Sequence, residues 1–271
     1  MGTTRRAVLR TVVALAMAGA ITMPLWSCGH TLGESIQLRT GVMGTTATGG
    51  SPASFVNRRG WQVDLTEAYV VIGPIYFYEA APQAHWLDGV VGLRQAHAHL
   101  VVSRGTVLGE VLQQHVIDLL SGAVHDTGTW SGVAGQCQSA EVQLLPPGEH
   151  ELGPTSHAIE LVRGHTIWLS GVAAKDGVTI PFEGGLTLPD EGKLRLIEDI
   201  AGTMDLQDAS ESPGAAVVLI YVDEWLGNVN FDTLPEPAGE GPRVLAEGSQ
   251  AYTAWQSGVR SRFSYGTIWK E

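Results

Sequence analysis

Two histidines one residue apart, His97 and His99, are the residues of this chain whose types and spacing most directly suggest chemistry. They stand in the stretch QAHAHLVV, at the head of an apolar run typical of a β-strand. Residues two apart on a strand project from the same face, with their Cα atoms about 6.5–7 Å apart. Both imidazoles could therefore turn a nitrogen to one Cu²⁺ or Zn²⁺ ion. The pair predicts a copper or zinc site, with a third ligand from His85, His115 or His125.

The same spacing also arises without any metal. The chain has nine histidines, and a His-x-His pair on an edge strand forms an ordinary polar face. Cys137 also has two interpretations. It is expected to be a small buried residue, but as a thiolate it would instead be a ligand that favours Cu⁺. Both interpretations of the histidine pair stay open at this point.

The sequence motifs of the common enzyme classes are absent. The chain has no G-x-S-x-G, G-x-G-x-x-G, G-x-x-x-x-G-K-[ST], H-E-x-x-H, C-x-x-C or D-x-D-x-D-G pattern. Hydrolase, nucleotide-binding and dehydrogenase functions therefore have no support in the sequence. We expect a binding role rather than catalysis.

The aromatic residues suggest a different kind of ligand for that binding role. The chain has eight tryptophans and six tyrosines, and most of these rings are expected in a core. Exposed Trp and Tyr side chains on a sheet face can, however, stack on sugar rings. A carbohydrate- or protein-binding surface module without metal is therefore the alternative to a metal-binding protein.

Residues 1–27 have the pattern of a signal peptide. Arg5, Arg6 and Arg10 precede an uncharged, mostly apolar stretch at 12–23, which is too short to span a membrane. The string TRRAVLR also resembles a twin-arginine signal. Twin-arginine export, which carries proteins that are already folded, and ordinary secretion therefore both stay open.

The signal peptide ends in the string LWSC, which resembles the cleavage site of bacterial lipoproteins. Trp26 departs from that pattern, which has a small residue at this position. Cleavage before Cys28 would leave a lipidated cysteine that anchors the chain to a membrane, whereas an ordinary signal peptide would leave Cys28 incidental. Because Gly29 stands where an inner-membrane retention signal has Asp, we expect an outer-membrane lipoprotein that faces the periplasm or the cell surface.

The charge of the mature chain excludes one class of partner. Removal of residues 1–27 takes away three arginines and no acid, which leaves 13 basic and 28 acidic residues and a net charge of −15. Such a surface repels phosphate backbones. Nucleic acid is therefore excluded, while a metal ion or a protein partner stays open.

Alternation of apolar and polar residues predicts β-strands along most of the remaining chain. The clearest run covers 61–78, in which Val63, Leu65, Tyr69 and Val71 are predicted to share one face. Further strands are predicted at 35–39, 98–102, 115–120, 139–145, 166–174, 178–182, 193–197 and 215–222.

The predicted fold class is mainly β, an antiparallel β-sandwich with a short C-terminal helix. Turn signals recur about every ten residues, as in a sandwich, and Asp176-Gly177 is the chemistry of a hairpin turn. Ser249 is predicted to cap the C-terminal helix, and a helix or turn is expected around 107–112. The predicted organisation is a lipid-anchored flexible tether at 28–54 and one sandwich domain at 55–271.

Four stretches within residues 60–145 carry a family resemblance: GWQVDLTEAYVVIGPIYFY, HVIDLL, GTWSGVAGQ and SAEVQLL. Their order resembles that of bacterial β-sandwich lipoproteins, including the periplasmic copper-binding lipoproteins associated with methanobactin uptake. The resemblance implies a β-sandwich and copper binding. The chain lacks that family's later Asn-His and Trp-x-Trp features at matching places, so no ligand is assigned from it. His97 and His99 rest on strand geometry alone.

Overall fold

The computed structural model describes residues 34–82, 105–146, 153–189, 193–207, 214–237 and 239–271. Within these ranges the chain forms fourteen strands and three short α-helices. The strands are Ser35–Thr45 (β1), Ser54–Val56 (β2), Gln62–Ile72 (β3), Ile75–Tyr78 (β4), Val107–Val111 (β5), His115–Asp118 (β6), His125–Val133 (β7), Gln136–Gln143 (β8), Ile167–Lys175 (β9), Val178–Leu186 (β10), Leu196–Asp205 (β11), Ala215–Tyr221 (β12), Arg243–Val244 (β13) and Tyr265–Lys270 (β14). The helices are Ser156–Leu161 (α1), Val222–Trp225 (α2) and Gln250–Val259 (α3).

The strands form two sheets. The larger has the order β11-β8-β4-β5-β7-β1-β12-β14, and the smaller has the order β13-β10-β9-β3-β2, with β6 also paired to β3. Most neighbouring pairs are antiparallel, but β1 pairs with β12 and β10 pairs with β13 in parallel. The sheets are therefore mostly antiparallel, as predicted, with two parallel pairs that the sequence did not indicate.

One hydrophobic core lies between the two sheets. Its buried side chains come from both, for example Leu38 and Phe77 from the larger sheet and Val63, Leu169 and Phe182 from the smaller one. Two apolar sheet faces that share one core define a sandwich arrangement. The prediction of a mainly β fold is confirmed.

A β-bulge at Thr66 changes the direction of the β3 side chains. Leu65 pairs with Gly171 of β9, and Glu67 pairs with Ser170, so Thr66 is the extra residue. An extra residue shifts the alternation of side chains by one position. Odd-numbered residues of β3 therefore face the core before the bulge, and even-numbered residues face it after the bulge.

The bulge overturns part of the predicted pattern of β3. Val63 faces the main core before the bulge, and Val70 and Ile72 face it afterwards. Tyr69 and Val71, predicted on the same face as Val63, instead pack in a second apolar cluster on the outer side of the sheet. The alternation is correct within each half of the strand and wrong across Thr66.

The predicted strand at 35–39 is confirmed and continues to Thr45 as β1, so the flexible tether predicted at 28–54 does not extend over Ser35–Thr45. β1 lies between β7 and β12 inside the larger sheet, and Leu38 and Val42 are completely buried. The glycines and threonines that suggested a tether are divided between this central strand, which ends at Thr45, and the turn at residues 46–50. A folded segment thus precedes Phe55, the residue at which the domain was predicted to begin.

The hairpin and the C-terminal helix are confirmed. β9 and β10 pair directly across Asp176-Gly177, and the Ser249 hydroxyl accepts a hydrogen bond from the Tyr252 amide at 3.1 Å to begin α3. The helix or turn expected around 107–112 is wrong, because Val107–Val111 forms β5 and pairs with β4. The predicted strand at 98–102 lies outside the described residues. Across the ranges that the structure describes, no helix is long and apolar enough to cross a membrane.

Candidate functional site

Two of the five predicted metal-binding histidines belong to the described part of the chain. His85, His97 and His99 lie outside it, and His115 and His125 lie within it. His115 is 7% exposed on β6, and its Nε2 has no hydrogen-bond partner among the described residues. Burial lowers the pKa of His115, and the opposing effect of Asp126 is smaller. A neutral imidazole with an available nitrogen is the form that binds a metal.

His125 has a structural contact instead. Its Nε2 lies 2.7 Å from the carbonyl oxygen of Asp118 and 2.9 Å from the Ser121 hydroxyl, so this nitrogen is engaged by the turn that follows β6. Among the residues with a described position, no three His, Cys, Asp or Glu side chains form a group that could hold a metal ion. The site at His97 and His99 therefore stays a prediction.

Cys137 has the character of a small buried residue. Its side chain is completely buried on β8, and its Sγ donates to the Ser139 carbonyl at 3.4 Å. Burial raises the pKa of the Cys137 thiol to about 11, so the thiol is protonated near neutral pH. A metal ion binds the thiolate, and this position therefore does not favour one.

A cluster of polar and aromatic side chains lies on the outer face of the smaller sheet. It combines one carboxylate, two imidazoles, two hydroxyls and one indole, contributed by β3, β9, α1 and the turn before β9. We call this cluster the outer-face patch. Its members are Thr66, Glu67, His157, His165, Trp168 and Ser170.

Glu67 is the centre of the patch. Its Oε1 accepts from His157 Nε2 at 2.9 Å, and its Oε2 accepts from Ser170 Oγ at 2.9 Å and from Trp168 Nε1 at 3.4 Å. Partial burial raises the pKa of Glu67, but the hydrogen bonds from His157, Ser170 and Trp168 outweigh it, and the pKa is lowered. The patch therefore carries a carboxylate that stays ionised near neutral pH.

The bulge in β3 is what brings the polar groups together. It places Glu67 directly opposite Ser170, and it leaves Thr66 beside them with its hydroxyl 2.9 Å from the Ser170 hydroxyl. Since Ser170 donates to Glu67, the Thr66 hydroxyl donates to Ser170. Three polar side chains thus form one hydrogen-bonded row across β3 and β9.

A glycine leaves room for the aromatic part of the patch. Trp168 pairs with Gly185 of β10, and a Cβ at position 185 would overlap the His165 ring. Without that atom, the His165 and Trp168 rings lie side by side, with centroids 6.0 Å apart and planes inclined by 38°. The Thr187 hydroxyl donates to the Gly164 carbonyl at 2.9 Å. The His165 Nδ1, which lies 3.2 Å from that hydroxyl, therefore donates to it, and this hydrogen bond orients the imidazole.

Helix α1 holds His157 over the sheet. The Thr155 hydroxyl accepts from the Ala158 amide at 3.1 Å and caps the helix. Ala158 and Val162 pack on Val71 and Val116 in the second apolar cluster. This packing holds the helix beside β3, where the His157 side chain is 63% exposed and reaches Glu67.

The geometry of the patch fits binding better than acyl transfer. A serine nucleophile needs a base within hydrogen-bond reach and that base needs an orienting group. Here the described partner of His157 is Glu67, and Ser170 also donates to Glu67 rather than to an imidazole. The arrangement offers a fixed carboxylate and a half-buried indole to a ligand.

No sequence pattern indicates this patch. The prediction that most aromatic residues lie in the core is correct for the completely buried Trp61, Trp225 and Trp255. Glu67 and Ser170, however, are 103 residues apart. No spacing rule connects them, since their contact depends on the register of β3 against β9.

Comparisons with protein-family models, with curated proteins and with solved structures gave no match to this chain. The resemblance to copper-binding lipoproteins therefore stays a prediction.

Proposed function

We propose that this protein is a lipid-anchored protein of the bacterial cell envelope with a binding role rather than a catalytic one. The outer-face patch is the observation that carries the binding role, because it presents a fixed carboxylate, hydroxyls and an indole on one sheet face. Binding sites commonly combine an aromatic surface with a few placed polar groups. The anchor rests on the sequence around Cys28.

The binding role is tested by removing the indole of Trp168. We expect the soluble chain from Gly29 to Glu271 to bind fragments of an enzymatic digest of bacterial envelope, and Trp168→Ala to bind them at least about tenfold more weakly. The digest is immobilised on a surface, and the binding of each protein variant to it is measured. Phe263→Ala is the control, since Phe263 is 72% exposed on another element. Equal binding by the parent and Trp168→Ala would show that the outer-face patch is not the binding site.

The lipid anchor is tested by replacing its cysteine. Cys28→Ser should abolish incorporation of a labelled fatty acid into the full-length chain expressed in a Gram-negative bacterium, because diacylglycerol is attached to the thiol. Cys137→Ser is the control, because Cys137 is the only other cysteine and should leave the label unchanged. Label on Cys28→Ser, or none on the parent, contradicts the anchor.

A transition-metal site is the second candidate, favoured by the buried imidazole of His115, whose Nε2 has no hydrogen-bond partner within the described ranges and whose pKa is lowered by burial. In this proposal His97 and His99 bind Cu²⁺ or Zn²⁺, with His115, His85 or His125 as a further ligand.

The metal proposal predicts uptake of about one ion per chain by untagged protein, and a loss of affinity of at least about tenfold in the double variant His97→Ala, His99→Ala. Metal content is measured by elemental analysis after dialysis. The matched control is His157→Ala, His165→Ala, which removes two imidazoles of the patch. A His97/His99 variant that binds copper and zinc like the parent rejects the metal site.

A further inference from the structure

We infer that the outer-face patch binds the sugar rings of an envelope polysaccharide, with the Trp168 indole as stacking surface and the polar row of Glu67 and Ser170 as hydrogen-bond partners of the ring hydroxyls. This inference rests on the proposed binding function and names its class of ligand.

The indole of Trp168 is held as a stacking surface. It is half-buried against the second apolar cluster, and its Nε1 donates to Glu67, which fixes the plane of the ring. The His165 ring lies beside it on the side of β10, with its plane inclined by 38° to the indole. A sugar ring has an apolar C–H face that packs on such a surface, while its hydroxyls point to the sides.

The polar groups at the edge of the indole match hydroxyls. Glu67 accepts three described hydrogen bonds, and an ionised carboxylate has about four lone-pair sites. The protons of the Thr66 and Ser170 hydroxyls are used within the row, so both oxygens remain as acceptors. A ligand that carries several hydroxyls close together can donate to the remaining lone pairs of Thr66, Ser170 and Glu67.

Charge disfavours an anionic ligand. Glu67 is ionised within the patch, and Glu183 lies directly opposite Ser170 on β10. The basic residue that follows α1, Arg163, is paired with Glu160 at 2.8 Å. A phosphate or nucleic-acid ligand would meet carboxylates here without an arginine fork to bind it.

The sheet topology disfavours an extended peptide. A peptide that adds a strand needs an open edge of a sheet, but β9, which carries Trp168 and Ser170, lies between β10 and β3. The indole and the Ser170 hydroxyl therefore stand on an interior strand of the sheet rather than at an open edge. Across these three strands the patch measures about 10 Å, which is wide enough for two linked sugar rings.

The test compares two classes of probe by isothermal titration calorimetry on the soluble chain from Gly29 to Glu271, which contains every described residue. The saccharide probes are cellotetraose and chitotetraose, and the peptide probes are unmodified tetrapeptides. We expect at least one saccharide to bind and Trp168→Ala to weaken it at least about tenfold. Trp168→Phe should stay within about threefold of the parent because it keeps an aromatic face. Phe263→Ala is the unchanged control.

A second variant keeps the test valid if Trp168→Ala does not fold. Glu67→Gln preserves the size of the side chain and removes its charge, and it should weaken saccharide binding about threefold or more. Saccharide binding that both patch variants leave unchanged overturns the inference. Peptide or digest binding at the patch without saccharide binding also overturns it, yet leaves the proposed binding function standing. If neither saccharides, peptides nor digest fragments bind at the patch, the saccharide inference and the proposed binding function are both overturned.

Discussion

Gly44→Ala should lower the free energy of unfolding by about 3 kcal/mol. Gly44 lies in β1 and pairs with Ile220 of β12. A Cβ at this position would overlap the carbonyl oxygen of Leu119 and lie 2.8 Å from its Cα. Because these are backbone atoms, no side-chain rotation relieves the overlap, and the turn that follows β6 must move.

Equilibrium unfolding in urea measures this loss as a lower transition midpoint. Gly239→Ala is the matched control, because nothing lies within 4 Å of a Cβ at that exposed glycine; its effect should stay within about 0.5 kcal/mol. An equally small effect of Gly44→Ala would contradict the central position of β1 and would restore the flexible tether that the sequence suggested.

Asn57→Ala should also lower the free energy of unfolding by about 3 kcal/mol. Asn57 is 4% exposed. Its Nδ2 donates to the carbonyls of Leu226 at 3.1 Å and Val229 at 2.9 Å, and its Oδ1 accepts from the amides of Arg59 and Trp61, both at 3.0 Å. One side chain thus joins the turn before β3 to the segment after α2. Its removal leaves backbone groups at both places without partners.

The same urea measurement decides this prediction, and the melting temperature should fall by about 6–12 °C. Asn228→Ala is the control, because Asn228 is exposed in the same segment that Asn57 contacts. A control that is as destabilising as Asn57→Ala would show that the effect comes from the segment itself. A nearly neutral Asn57→Ala would show that water replaces the four hydrogen bonds.

Local sequence patterns predicted the elements whose determinants are local. β12 is an apolar run, the β9–β10 hairpin is defined by its two-residue turn, and α3 begins at its Ser249 cap. In each case the residues that specify the element lie within the element or next to it. The mainly β class followed from the same signals.

The errors concern features that long-range packing decides. β1 is rich in glycine and threonine, and its place in the larger sheet comes from its pairing with β7 and β12. Val107–Val111 has apolar residues that fit a helical face, yet pairing with β4 makes it a strand. The bulge at Thr66 is a matter of register against β9, which no pattern within β3 shows.

The candidate site shows the same division. A motif such as His97-x-His99 is visible because its members are neighbours in the chain, whereas Glu67, His157 and Ser170 meet only after β3, α1 and β9 are assembled. Prediction of the patch would have required the bulge, the register and the position of α1 together. The sequence alone indicated only that exposed aromatic residues on a sheet face can stack on a ligand.

The most direct test of the binding role follows the indole N–H of Trp168 by ¹⁵N NMR on the soluble chain from Gly29 to Glu271, with the resonance assigned from Trp168→Phe. Addition of solubilised envelope fragments should move this resonance in a saturable manner. The indole resonances of Trp225 and Trp255, which are completely buried, should stay in place. A Trp168 resonance that does not move, while fragments bind elsewhere or not at all, would contradict the outer-face patch as the binding site.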